Sequence, residues 1–299
     1  MSAAIRKIGF IGVGHMGNPM AAQLVAKGFR VTVYDANRDA THAFINAHGG
    51  AAAASLAEVG QGVDAVIFML PDGHAVRRVL FEDGLAAHLA SGAVAIDMGT
   101  SAPADTIATG NQLAPHGISY LDAPVMGGVV FAKDATLDIM AGGDAALIER
   151  CRPLFEAMGR KLYVCGKLGS GHVLKAMTNY INACALINTL EAMVIGRKFG
   201  LDTAIMTEAI DAMCNGRQHP IVKKVIPHVV TRKYGTGMTM QLIAKDVAIA
   251  VDSAKSVGAA VPLGEKTAEL WAAACNQIGG THDQTEIVRY WEQASGTTL

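Results

Sequence analysis

The run KIGFIGVGHMG, residues 7–17, sets Gly12, Gly14 and Gly17 in a GxGxxG spacing directly behind an apolar, strand-like stretch. Each glycine answers a separate steric demand. Gly12 permits a tight strand-to-helix turn, Gly14 lets the backbone approach a pyrophosphate, and Gly17 lets the next helix pack close to the strand. The helix start then offers unpaired N–H groups and partial positive charge to phosphates. His15 and Met16, inside the same turn, are counted with the three glycines as cofactor-contacting positions.

A helical stretch follows over residues 17–26, Gly28 stops it, and a second strand over 30–34 ends in Asp35. An acid about 20 residues beyond the glycine loop can accept hydrogen bonds from ribose hydroxyls and repel a 2′-phosphate. NAD is therefore expected over NADP. Arg38 weighs the other way, because a guanidinium can pair with a phosphate if Asp35 turns aside.

The chain has 299 residues, half of them apolar, and a formal net charge of −1. That length holds one large or two medium domains, and the charge gives no footing for nucleic acid or an anionic membrane surface. No apolar stretch is long enough to span a bilayer and no signal-peptide pattern is evident, so a soluble, cytoplasmic protein is expected. Cys151, Cys165, Cys184, Cys214 and Cys275 are scattered without a CxxC pair, which predicts small core residues and no metal site. His172 and His219 are expected on the surface or in loops.

Strand-like runs at 5–11, 30–34, 65–70, 94–98, 118–122, 135–140 and 161–165 alternate with helical stretches, and an alanine-rich bend covers 51–54. This alternation predicts an α/β fold with a Rossmann-type, doubly wound, mostly parallel sheet. From about residue 169 the pattern becomes all-helical. The glycine-rich step at 166–171 divides an N-terminal domain, 1–166, from an all-α C-terminal domain, 167–299. A long helix over 171–198, stopped by Gly200, joins the two; later helices are expected at 203–213, 221–231, 240–257, 264–278 and 284–294. Its small residues Ala176, Ala183, Ala185 and Ala192 suit either a core or a subunit interface.

Ligands bind beyond the carboxyl ends of strands in such sheets. Three strand ends qualify: Met69, Leu70 and Pro71; Asp97 to Thr100; and Asp122 to Gly128, where Gly127 and Gly128 free backbone N–H groups for an anion. Lys175 and Asn179, at i and i+4, share one face of the long helix. Lys175 is either a surface lysine snorkelling its charge or an amine desolvated over a cleft and lowered in pKa.

Six segments in order, GFIGVGHMGNPMA, MLPDG, DMGTS, DAPVMGG, GSGHVLKAMTNY and AKDVAIA, resemble the β-hydroxyacid dehydrogenase family across essentially the whole chain. That family includes 3-hydroxyisobutyrate dehydrogenase, tartronate semialdehyde reductase, L-threonate dehydrogenase and sulfolactaldehyde reductase. The resemblance implies a site in the cleft between the domains and hydride exchange between NAD and a small anionic hydroxyacid or its semialdehyde. It makes Lys175 the general acid and base, and Asn179 the group that orients the reacting oxygen. It places Thr100 and the Met69–Pro71 turn along the nicotinamide, brings Lys245 over it from the helical domain, and gives the substrate acid group to Met126, Gly127 and Gly128. It needs no metal. Long apolar helices in the C-terminal half suit a homodimer or homotetramer, and burial inside one subunit would give the same pattern.

The chain departs from the family pattern in its substrate half. Met126 replaces the usual serine of DAPVSGG, Phe131 and Ala135 stand where glycines are common, and Tyr180 replaces a second asparagine. A pocket that has lost a hydroxyl and gained bulk predicts a larger or less polar substrate tail. Imine reduction on the same fold, and a catalytically silent dinucleotide-binding protein, are the competing expectations. Lys175 argues against both.

Overall fold

The computed structural model describes residues 4–216, 219–256 and 258–298. The remaining residues of the two expected domains, including Val257 at the end of the helix expected over 240–257, lie outside the described residues.

The strands are β1 (Lys7–Ile11), β2 (Arg30–Tyr34), β3 (Ala51–Ala52), β4 (Ala65–Phe68), β5 (Val94–Asp97), β6 (Ser119–Asp122), β7 (Val125–Met126), β8 (Leu137–Gly142) and β9 (Gly159–Gly166). They form one sheet in the order β3-β2-β1-β4-β5-β6-β8-β7, with β9 beside β8. β1 to β6 run parallel, whereas β8 runs antiparallel to β6 and β7. Every residue of β4 and β5 is buried, as a parallel strand covered on both faces requires.

The period-2 alternation of side chains sorts the strands into two cores. Ile8, Phe10, Ile67 and Ile96 join Leu24, Phe44 and Phe155 on one face; Ile11, Phe68 and Ala95 join Leu80, Leu85 and Leu113 on the other. The helices supplying those layers are α1 (Gly17–Ala26), α2 (Arg38–His48), α3 (Leu56–Gly60), α4 (Gly73–Arg77), α5 (Pro103–Leu113), α6 (Gly128–Lys133) and α7 (Ala145–Met158). A Rossmann-type domain is thus followed by the all-helical region: α8 (Ser170–Lys198), α9 (Thr203–Cys214), α10 (Met240–Ser256), α11 (Pro262–Ala274) and α12 (Val288–Ser295). The packing divides into two compact units, Met1–Tyr180 and Ile181–Leu299, so α8 begins in the first and ends in the second. Among the described residues no helix is long and apolar enough to cross a membrane.

Several expectations are corrected. The alanine-rich bend at 51–54 contains β3, whose two residues lie opposite Thr32 and Val33 of β2; small side chains gave no alternation to reveal it. The strand expected over 135–140 starts at Leu137, because Ala135 sits at φ 54° in the turn after α6 and cannot extend. The helix expected over 221–231 is present as a π-helix, Ile221–Val229, with Pro227 inside it; proline lacks the N–H that an α-helix would use there. The segment expected from 264 starts at Pro262, a residue suited to a first helical position.

Of the cysteines, Cys151 is buried. Cys165, Cys184 and Cys275 are partly exposed and Cys214 is exposed, so the core assignment fails for these four. Cys165 lies on β9, and Cys184 and Cys214 lie on helices that leave apolar faces uncovered within one chain. Ala176, Ala183, Ala185 and Ala192 are likewise exposed, which removes the core alternative for them.

Ala135 pays a steric cost that glycine would not, since a Cβ at positive φ crowds its own backbone. Ala135→Gly is expected to raise stability by roughly 0.5–1 kcal/mol in urea denaturation. A loss of stability would show that contacts of the Cβ outweigh the relief.

Candidate functional site

The glycine loop between β1 and α1 is fixed by close approaches. A Cβ on Gly17 would collide with the Gly12 carbonyl, and one on Gly12, at φ 93°, would collide with the Met69 carbonyl. At Gly14, by contrast, nothing lies within 4 Å of where a Cβ would stand, so the loop is open on the side from which a pyrophosphate would arrive. Gly14 and His15 are exposed, while Met16 is half-buried against the core beneath.

Gly12, Gly14, Asp35, Met69, Leu70 and Pro71 together line one cavity of about 430 Å³ in the first unit. The structure thus brings together residues that lie as many as 59 positions apart, from the ends of β1, β2 and β4. Asp35 Oδ2 accepts the Val13 N–H at 2.9 Å and Oδ1 accepts the Asn37 N–H at 2.8 Å. Arg38 is exposed and borders, with Asp35 and His42, an adjoining cavity of about 320 Å³. Thr100 is exposed at the end of β5, next to Gly99, where a Cβ would stand 2.7 Å from the Leu70 carbonyl oxygen. That proximity sets Thr100 beside the Met69–Pro71 turn. These features fit a dinucleotide: an open glycine cradle, a strand-end acid and an apolar trough.

Leu56, Ala75, Arg78, Val79 and Asp83 also line the larger cavity and were not anticipated. Ala75, Arg78 and Val79 stand at i, i+3 and i+4, a helical face visible in the residues after MLPDG.

On the other side of the sheet's carboxyl edge, β6 ends at Asp122 and the chain turns into β7, where Val125 and Met126 pair with Ile139 and Asp138 of β8. Gly127 at φ 132° and Gly128 at φ 78° then open α6. The ring of Phe131 occupies the space beside Gly127, and Val129, Val130 and Phe131 leave an exposed apolar rim. Lys175, on the second turn of α8, is half-buried and points its Nζ at Met126 Sδ, 3.8 Å away. Burial lowers the amine's pKa from the ordinary lysine value. Asn179, one turn further, is exposed. Lys245 belongs to the second unit, exposed on α10 with its Nζ 3.1 Å from Asp246.

His219 is exposed, as expected, whereas His172 is not a surface residue: it is fully buried. Its Nδ1 lies 2.7 Å from Thr106 Oγ1, and the ring lies 3.8 Å from both Asp97 and Asp122. The glycines around it in GSGH suggest a loop, and the three partners that enclose it come from distant strands and α5.

A family model described as the NAD binding domain of 6-phosphogluconate dehydrogenase matches residues 7–166. Another, described as NAD-binding of NADP-dependent 3-hydroxyisobutyrate dehydrogenase, matches residues 169–291. The chain belongs to the β-hydroxyacid dehydrogenase family. It is 35% identical over 298 residues to an NAD-dependent L-serine dehydrogenase of Pseudomonas aeruginosa, covering 98% of this chain and 100% of that one. A solved structure of Mycobacterium tuberculosis 3-hydroxyisobutyrate dehydrogenase with L-serine is 31% identical, covers 96% and 99% of the two chains, and superposes with a TM-score of 0.67. An imine reductase from Myxococcus stipitatus in complex with NAD+ shares the fold with a TM-score of 0.85, at 18% identity over 96% and 99% of the chains. This family member is therefore an NAD-binding oxidoreductase.

Gly12→Ala is expected to weaken NADH binding by at least about tenfold, since the Cβ must displace the Met69 turn and strain a positive φ. Titration of NADH fluorescence measures it; unchanged affinity would place the cofactor elsewhere.

Proposed function

We propose that this protein interconverts a small β-hydroxyacid and its semialdehyde with NAD, using Lys175 as general acid and base. The observation that carries the proposal is the Lys175 amine: half-buried, lowered in pKa and aimed at the Met126 loop, in the same unit as the dinucleotide cavity. L-serine and 3-hydroxyisobutyrate, which figure in the names of the relatives above, are both 3-hydroxycarboxylates, and the proposal extends that class to this chain.

Gly12, Gly14, His15, Met16 and Gly17 would hold the pyrophosphate, Asp35 the adenosine ribose, and Met69, Leu70, Pro71 and Thr100 the nicotinamide half, with Lys245 completing the set. When bound, NAD supplies the hydride acceptor. Neutral Lys175 Nζ accepts the hydroxyl proton in oxidation, and its ammonium form returns one in reduction, so no metal is required to stabilise charge on the oxygen. Asn179, one helical turn on, orients that oxygen, and the backbone at Gly127 and Gly128 receives the acid group. Met126 and the rim of Val129, Val130 and Phe131 favour a substrate with a larger or less polar tail. A second copy of the chain is proposed to cover the apolar faces of α8 and α9, where Leu186, Leu190, Ile205 and Met213 are each more than half exposed.

With L-serine and 3-hydroxyisobutyrate as probes, followed through NADH absorbance, Lys175→Ala is expected to lose at least about 100-fold in kcat while binding NADH normally. Because the neutral amine is the base, the oxidation rate should rise with pH through the lowered Lys175 pKa and level off before an ordinary lysine would titrate. Retained turnover in the variant, or a pH profile without that limb, would remove Lys175 from the reaction. Turnover of a cyclic imine in place of either hydroxyacid would favour the imine reductase alternative.

Asp35→Ser is expected to narrow the preference for NAD over NADP by about tenfold or more, as the ratio of kcat/KM values. An unchanged ratio would assign the selection to Arg38 or another group.

A further inference from the structure

The start of α8 lacks the local cap that a helix of its length ordinarily has. Gly169, at φ 91°, precedes Ser170 and carries no side chain to accept the first free N–H groups. That task is done from another part of the chain: Asp122 Oδ1 accepts the Gly169 N–H at 2.7 Å, and Oδ2 accepts the His172 N–H at 2.8 Å. Two glycines make the approach possible. A Cβ on Gly142 would stand 2.6 Å from Asp122 Oδ1, and one on Gly171 would strike the Met140 carbonyl and stand 2.9 Å from Asp122 Oδ2. The side chain of His172 locks the arrangement from the other side, with Nδ1 on Thr106 of α5 and Nε2 buried without a hydrogen-bond partner among the described residues, 3.8 Å from Asp97 of β5. Asp97 and Asp122 lie opposite each other in adjacent strands.

Both sides of the Lys175–Met126 contact start from residues next to this carboxylate. Lys175 is three residues beyond His172 on the same helix, and Met126 is four residues beyond Asp122 on the same strand-end loop, yet Nζ and Sδ meet at 3.8 Å. We infer that Asp122, locked by His172, is a positioning residue that sets the height and burial of the Lys175 amine against the Met126–Gly128 loop. This inference rests on the proposed role of Lys175. The other titratable groups whose fields reach the cluster are Tyr120 of β6, Arg77 of α4 and Cys165 of β9. The Lys175 amine itself is shifted by burial alone, so a change in its titration reports its placement.

The test compares the full-length wild type with Asp122→Asn, which keeps the side-chain volume but turns one acceptor into a donor, and with Asp144→Ala, which removes the carboxylate cap of α7 at Leu147. The pH dependence of Lys175 acylation by an amine reagent, read by peptide mass spectrometry, requires no substrate. Turnover of L-serine and 3-hydroxyisobutyrate is measured alongside. In Asp122→Asn the midpoint for Lys175 is expected to rise by about 0.5–1 pH toward ordinary lysine, as the amine becomes better solvated. The kcat is expected to fall by about 10- to 100-fold, with KM for NAD unchanged. Asp144→Ala should lower Tm and move neither. If Asp122→Asn does not fold, His172→Gln is expected to raise the Lys175 midpoint in the same direction. An unchanged midpoint in whichever variant folds, or an equal shift in Asp144→Ala, would overturn the inference. Absence of wild-type turnover with both probes would count against the proposed substrates alone, since the labelling still decides the placement.

Discussion

Two backbone N–H groups at the start of α8 donate to one buried carboxylate, Asp122, and the geometry of the carboxyl edge of the sheet follows from that junction. A fully buried carboxylate without partners would be costly, and among the described residues no lysine or arginine forms an ion pair with it. Its two oxygens are instead met by two backbone N–H groups at the start of a 29-residue helix. The neighbouring Asp97 accepts Gly99 N–H and Ser101 O–H, and burial pushes its pKa up against the opposing effect of His172.

The glycine loop solves a comparable problem with the opposite means. Instead of a side chain reaching across to a helix, glycines let two backbones touch, and Asp35 then clamps the turn through Val13 and Asn37. This bears on Arg38. Turning Asp35 aside to admit a 2′-phosphate would break two hydrogen bonds to a charged acceptor, worth roughly 1.5–3 kcal/mol each. Each carboxylate oxygen still has a lone pair for a ribose hydroxyl. The clamp therefore supports NAD more firmly than the position of Asp35 in the chain alone.

What was legible in the chain depended on how local the cause was. The glycine spacing, the acid after β2 and the apolar runs of β4 and β5 are local signals, and the α/β order followed from them. The two-residue strands β3 and β7 have too few side chains to show a period, and their existence is decided by the neighbouring strands β2 and β8. His172 was misplaced for the same reason. A histidine between glycines looks like a loop residue until Thr106, Asp97 and Asp122, contributed by α5, β5 and β6, are seen to enclose it. Arg78 and Val79 of the proposed cofactor cavity had a helical face to announce them; Leu56 and Asp83 had none.

Met126 connects the substrate departure to the chemistry of the lysine. A serine at this position would offer the Lys175 ammonium a hydroxyl acceptor and so favour the charged form, whereas a thioether is a weak acceptor that mainly excludes water. With Sδ 3.8 Å from Nζ, the substitution removes solvation that would hold the amine charged, and burial is the cause of its lowered pKa. On the proposed assignment, the residue that narrows the polar part of the substrate pocket therefore also favours the neutral form of the proposed base, Lys175. In the proposed reaction, the position that lacks a hydroxyl for the substrate acid group is thus also the one that helps desolvate Lys175 and lower its pKa from the ordinary lysine value.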